Sequence, residues 1–85
     1  MTTTDPLEDV YVRIASLTQL TPQDLADMQA CNPTQLAALM RGYENDGKVA
    51  NSGVWSEIAT ILQGVAAYAP LAGTIVSIVS GVAAI

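Results

Sequence analysis

Residues 58–85 read IATILQGVAAYAPLAGTIVSIVSGVAAI and contain no charged side chain, whereas all eleven charges of the chain lie in positions 1–57. The composition is 51% hydrophobic without any phenylalanine, so aliphatic side chains and alanine must supply much of the core. Pro70 interrupts the apolar run and predicts a break near Tyr68 and Ala69, because the residue before a proline avoids the helical region. These residues predict two short apolar helices that form a hairpin or a single kinked helix.

The first of these helices is predicted from Val54 onward, because apolar and polar residues separate onto two faces at helical spacing. The second is predicted from Pro70 to Ala84. Its many β-branched residues would also suit a strand. A single strand would find nothing to pair with in this chain, so the sequence favours a helix.

Small side chains recur every fourth residue along the second apolar helix, and we call this line the small-residue seam: Ala69, Gly73, Ser77 and Gly81. On a helix such residues form one nearly straight line that lets another helix approach closely. Three placements remain open from the sequence: against another helix of the same bundle, against a second copy of the chain, or within a bilayer. The predicted interaction residues are the seam together with Trp55, Ile75, Val79 and Val82.

Three helix starts in the first half of the chain share one pattern. Each has a capping residue, a proline, and then an acid or amide three positions after the cap. Proline suits the first helical position because its missing N–H would be unpaired there in any case, and the flanking polar side chains satisfy the free amides. The pattern predicts helices over 6–17, 22–30 and 33–45, begun by Asp5-Pro6, Thr21-Pro22 and Asn32-Pro33.

Together these segments predict an all-α fold of about five short helices in a compact bundle. We expect a single domain over 1–85, with acidic, capped helices 1–3 in residues 1–50 and charge-poor helices 4–5 in residues 51–85. A chain of this size is only marginally stabilised by its own core. The apolar C-terminal pair should therefore form the centre of the bundle, with oligomerisation or docking as the added stabilisation.

Composition argues against an enzyme. The chain has no histidine and only one cysteine, Cys31, so the commonest general base and the commonest metal ligand are missing. Lys48 is the only lysine and has no nucleophile pattern beside it. We therefore predict no catalytic residue, no metal site and no cofactor.

Residues 20–49 resemble in outline the core of a helix-turn-helix domain, with Leu25, Ala26 and Leu36 at its apolar and small positions. This resemblance is generic. The net charge of −5 repels phosphate backbones, and the second helix offers only Arg41 as a cation. A nucleic-acid-binding domain is therefore the weakest alternative.

The first hypothesis is a non-enzymatic interaction or assembly protein, which associates with itself or with a larger protein partner through its apolar C-terminal helices. The alternative is a membrane-active protein that inserts residues 58–85. Against that alternative, Pro70 leaves fewer than the ~20 helical residues that a span requires. The acidic N-terminus lacks the basic start of a signal peptide. We expect a cytoplasmic location or incorporation in a macromolecular assembly, with membrane association as the alternative.

Overall fold

The computed structural model describes residues 6–50 and 52–83, and the side chains of 7–50 and 53–81. Within these ranges the chain is all-helical without strands, as the sequence predicts. The α-helices are α1 (Pro6–Leu17), α2 (Pro22–Gln29), α3 (Pro33–Asn45), α4 (Ser52–Gln63) and α5 (Ala69–Ala83), with a 3₁₀ turn at Ala66–Tyr68.

The predicted capping pattern is confirmed at α2 and α3. At α2, the Asp24 N–H donates to Thr21 Oγ1 (3.2 Å) and the Thr21 N–H donates to the Asp24 carboxylate (2.9 Å). At α3, Asn32 and Gln35 make the same reciprocal pair at 2.8 and 3.1 Å. The prediction for the start of α1 falls on Asp5, which lies outside the described residues.

A glycine just after the end of α3 sets the path of the α3–α4 loop. Gly47 has φ +78°, in the left-handed region that glycine favours. This geometry lets the N–H of Lys48 donate to the Tyr43 carbonyl (2.9 Å), while the N–H of Gly47 donates to the Glu44 carbonyl (3.1 Å). The Lys48 carbonyl then accepts from the Gln19 N–H at 2.8 Å, which joins this loop to the one after α1.

The C-terminal helices form a hairpin, and the chain breaks earlier than the sequence predicts. Helix α4 ends at Gln63, and Val65 is extended with φ −123° and ψ 116°. Pro70 lies in the first turn of α5, where a proline costs no backbone hydrogen bond, so it does not cause the break. The observed break therefore lies about one helical turn before the predicted break near Tyr68–Ala69.

One continuous hydrophobic core runs through the bundle, and the α4–α5 hairpin contributes much of it. Helix α1 packs against α4, and α3 packs against α5. The fully buried large side chains are Trp55, Ile14, Leu25, Met28, Leu36, Ile58, Leu62, Ile75 and Val49. The acidic helices thus cover a centre that is aliphatic apart from Trp55 and two tyrosines, Tyr43 and Tyr68.

Candidate functional site: the outward face of helix α5

The small-residue seam faces solvent. Ala69, Gly73, Ser77 and Gly81 are all exposed. A methyl group added at Gly73 or Gly81 would meet no atom of the described residues within 4 Å, apart from the neighbouring backbone of α5 itself. The seam therefore does not pack against another helix of the same chain, and this one of the three placements is wrong for the structure.

Helix α5 turns its bulky side chains inward and its small ones outward. Leu71, Ala72 and Ile75 are buried against the rest of the bundle. Val76, immediately after Ile75, is 41% exposed and is the largest side chain on the outward side. The outward face of α5, formed by the seam with Val76, is thus uncharged and nearly free of bulk.

The other predicted interaction residues either belong to the core or have side chains outside the described residues. Trp55 and Ile75 are fully buried in the bundle, and their role as interaction residues stays a prediction. Val79 is half-buried and packs against the core. The side chain of Val82 lies outside the described residues.

Two long-range hydrogen bonds hold the turn that leads into α5. The hydroxyl of Tyr68 lies 2.9 Å from the hydroxyl of Tyr11 on α1. The Gln29 side-chain amide at the end of α2 donates to the Ala67 carbonyl at 3.0 Å. The hydrogen bond with Tyr11, together with burial, raises the pKa of Tyr68 to about 12, so Tyr68 stays neutral at neutral pH. Sequence reasoning missed both contacts, because no local pattern links partners 57 and 38 residues apart.

A polar and aromatic cluster lies between α3, α4 and the loop that joins them. The Trp55 indole N–H donates to Glu44 Oε1 at 2.7 Å, and the ring of Trp55 stacks on Tyr43 with 6.4 Å between ring centroids. Lys48 Nζ lies 5.4 Å from the Tyr43 centroid and 3.5 Å from Asp24 Oδ2. Burial, followed by the charges of Asp24 and Asp27, raises the pKa of Tyr43 to about 12. Because the polar groups of this cluster already contact one another, we assign it a structural role.

Asp24 is the charged centre of that cluster, with 13% of its side chain exposed. Burial by itself raises the pKa of Asp24. The hydrogen bond from the Thr21 N–H and the charge of Lys48 outweigh this effect, and the net result is a pKa below the ordinary value of 3.8. A carboxylate whose pKa is lowered by folding stabilises the fold above its unfolded-state pKa, and this stabilisation disappears as the pH falls through the folded-state pKa.

We therefore expect Asp24→Asn to be less stable than the wild type by about 1 kcal/mol at pH 7, through loss of the ion pair and of a charge at a helix N-terminus. The difference should persist down to about pH 5 and close as the pH falls below 4. Thermal denaturation followed by circular dichroism measures it. Asp46→Asn, at an exposed carboxylate that ends α3, is the matched control for the loss of one negative charge and should change the stability at pH 7 by less than about 0.5 kcal/mol. A constant deficit of Asp24→Asn at every pH would contradict the assignment.

The helix-turn-helix outline is present as α2, a short turn and α3. On the outward side of α3, Thr34, Gln35 and Arg41 are exposed. One arginine beside the half-buried Glu44 is a poor surface for phosphates. The expectation that nucleic acid is not a partner stays a prediction.

The described part of the chain offers neither a metal site nor a membrane span. No group of three His, Cys, Asp or Glu residues is placed to hold a metal ion there. None of the helices in residues 6–50 and 52–83 has both the length and the apolar character needed to cross a bilayer. Among known proteins, no family, no curated protein and no solved structure matches this chain.

Proposed function

We propose that the protein is a non-enzymatic assembly module, in which copies of the chain associate through the outward face of α5. The observation that carries this proposal is the pair of glycines inside a helix at positions where the bundle leaves open space. A glycine in the interior of a helix costs about 0.5–1 kcal/mol relative to alanine. Open space alone does not indicate a partner, because Gly42 in α3 has it too. Gly73 and Gly81 differ in belonging to an exposed, uncharged line of small residues, along which a second helix can approach closely.

The charge distribution also favours the outward face of α5 as the contact surface. Each copy has a net charge of −5, so two copies repel one another over most of their surfaces. The outward face of α5 carries no charge, because all eleven charged residues precede residue 58. Two copies that meet along α5 therefore keep most of their acidic side chains away from the contact.

Gly73→Ala tests the proposal because the added methyl group should raise the stability of the fold but weaken the association of two copies. In an isolated bundle the added methyl group meets nothing, and the higher helix propensity of alanine should stabilise the fold by about 0.5–1 kcal/mol. In an assembly whose helices touch at the seam, the same methyl group should separate them and weaken association at least about tenfold, or about 1.4 kcal/mol. Sedimentation equilibrium at several protein concentrations gives the association constant, and thermal denaturation of dilute protein gives the stability.

Gly42→Ala is the matched control. Gly42 also lies inside a helix, α3, and its added methyl group also meets nothing within 4 Å. It should raise stability like Gly73→Ala but leave association unchanged. A wild-type protein that stays monomeric across the concentration range, or a Gly73→Ala protein that associates like the wild type, would refute the proposal. Measuring the mass with and without detergent, and flotation with liposomes, also tests the membrane alternative.

A further inference from the structure

A second surface, on different helices, carries a charge pattern that is complementary to itself. Helices α1 and α4 lie side by side and leave a groove of about 410 Å³ between them, which we call the α1–α4 groove. Its lining residues are Arg13, Ser16 and Leu17 from α1, and Glu57, Thr60 and Ile61 from α4. The volume falls within the range of ordinary ligand clefts, although the groove is open along its length.

The hydroxyl groups of the groove are already used within their own helices. Ser16 Oγ donates to the Arg13 carbonyl at 2.8 Å, and Thr60 Oγ1 donates to the Ser56 carbonyl at 3.0 Å. Leu17 remains 40% exposed. On the same outward side of α1, one turn before Ser16, Val12 is 61% exposed. The groove therefore offers apolar surface with two charges rather than a set of free hydrogen-bonding groups, which suits a protein surface better than a small polar molecule.

The two charges are opposite in sign and stand on opposite walls. Arg13 belongs to α1 and Glu57 to α4, and within the described residues neither makes an ion pair. A protein surface that buries these two exposed charges has to present an anion to Arg13 and a cation to Glu57, because a buried charge without a partner is costly. The groove of a second copy does both at once when the two copies are related by a twofold axis, since each residue then meets the partner's opposite charge.

We propose that the α1–α4 groove is a twofold-symmetric interface with a second copy of this chain, in which Arg13 of each copy pairs with Glu57 of the other. The apolar surface around Leu17 loses contact with water in the same step. This interface is separate from the outward face of α5. A chain with two self-complementary surfaces builds assemblies larger than a dimer, such as a closed tetramer or an open filament.

Charge reversal tests this interface directly. Arg13→Glu leaves two acids in each groove and Glu57→Arg leaves two cations, so each variant alone should associate at least about tenfold more weakly than the wild type through this contact. The double variant, Arg13→Glu with Glu57→Arg, restores both ion pairs, with the positive and negative charges exchanged between positions 13 and 57. It should associate within about threefold of the wild type, a difference of ~0.7 kcal/mol.

Mixing the two single variants gives the most specific result. An Arg13→Glu copy and a Glu57→Arg copy have complementary grooves, so they should form a mixed dimer more tightly than either associates with itself. Native mass spectrometry resolves the mixed species, because the two chains differ in mass. Circular dichroism of each variant confirms that it is folded before it is compared.

The controls change the net charge equally at other positions. Arg41→Glu matches Arg13→Glu in charge, and Asp46→Arg matches Glu57→Arg; both alter exposed residues outside the α1–α4 groove. They should associate like the wild type in the sedimentation experiment. Equal effects at control and groove positions, or single variants that do not pair when mixed, would overturn the α1–α4 interface while leaving the α5 proposal standing. A wild-type protein that is monomeric throughout would overturn both.

Discussion

Trp55→Ala is expected to lower the free energy of unfolding by about 3–5 kcal/mol, the range for truncating a fully buried large aromatic side chain. Trp55 is fully buried between α3 and α5, stacks on Tyr43 and donates to Glu44. Domains of this size have total stabilities on the order of 5–10 kcal/mol, so the variant should lose roughly a third or more of the stability of the fold. Urea denaturation followed by far-ultraviolet circular dichroism measures the change without relying on the tryptophan itself.

Trp55→Phe is the control for that experiment. It keeps an aromatic ring against Tyr43 but removes the indole N–H that reaches Glu44. Because Glu44 is half-buried and can turn to water, the loss should stay near 1–2 kcal/mol. If Trp55→Ala were as stable as the wild type, Trp55 would not lie in the core. The prediction that Trp55 contacts a partner would then gain support.

Ile75→Ala should lower the free energy of unfolding by about 2–5 kcal/mol, whereas Val76→Ala should change it by less than about 0.5 kcal/mol. The two residues are neighbours in the same helix with similar β-branched side chains. Ile75 is fully buried and Val76 is 41% exposed. Since alanine favours helix more than valine does, the Val76 change can even be slightly stabilising. Denaturation at one fixed low protein concentration separates these effects from association.

The Ile75 and Val76 variants also test which side of α5 faces the bundle. The proposal that copies associate through the outward face of α5 depends on this orientation. If the two substitutions cost equal free energy, or if Val76→Ala cost more, the seam would face the bundle rather than solvent. If Val76→Ala left stability unchanged but weakened association, the outward face of α5 would gain support as a contact surface. The Ile75 and Val76 variants thus test the fold and the proposed function with separate measurements.

Much of the fold was predictable, because its signals are local. The starts of α2 and α3 follow from a cap, a proline and an N3 partner within four residues, and both capping boxes form as expected. The end of α3 follows from the adjacent Asp46-Gly47 pair in the same way. The break before α5 lies elsewhere than predicted for a related reason: a proline breaks a helix in its interior but is compatible with its first turn.

The candidate site was predicted only in part. The spacing of Ala69, Gly73, Ser77 and Gly81 already defines a seam on one side of a helix. The sequence did not show which way the seam faces, because the opposite side of α5 is equally uncharged and the contrast between small and bulky residues is compatible with either orientation. Arg13 and Glu57 were not singled out at all, since a groove formed by α1 and α4 has no sequence signature.

The charge-free run at 58–85 therefore predicted by itself that the second half of this chain forms apolar helices and that its acidic residues lie elsewhere. Local chemistry sufficed for that, because helix caps, prolines and periodicity act over a few residues. Tertiary structure alone decided that Trp55 and Ile75 are core, that the seam is exposed, and that Tyr11 meets Tyr68. Those outcomes depend on how complete helices pack against one another, and packing is settled by the sum of many contacts between residues distant in the chain.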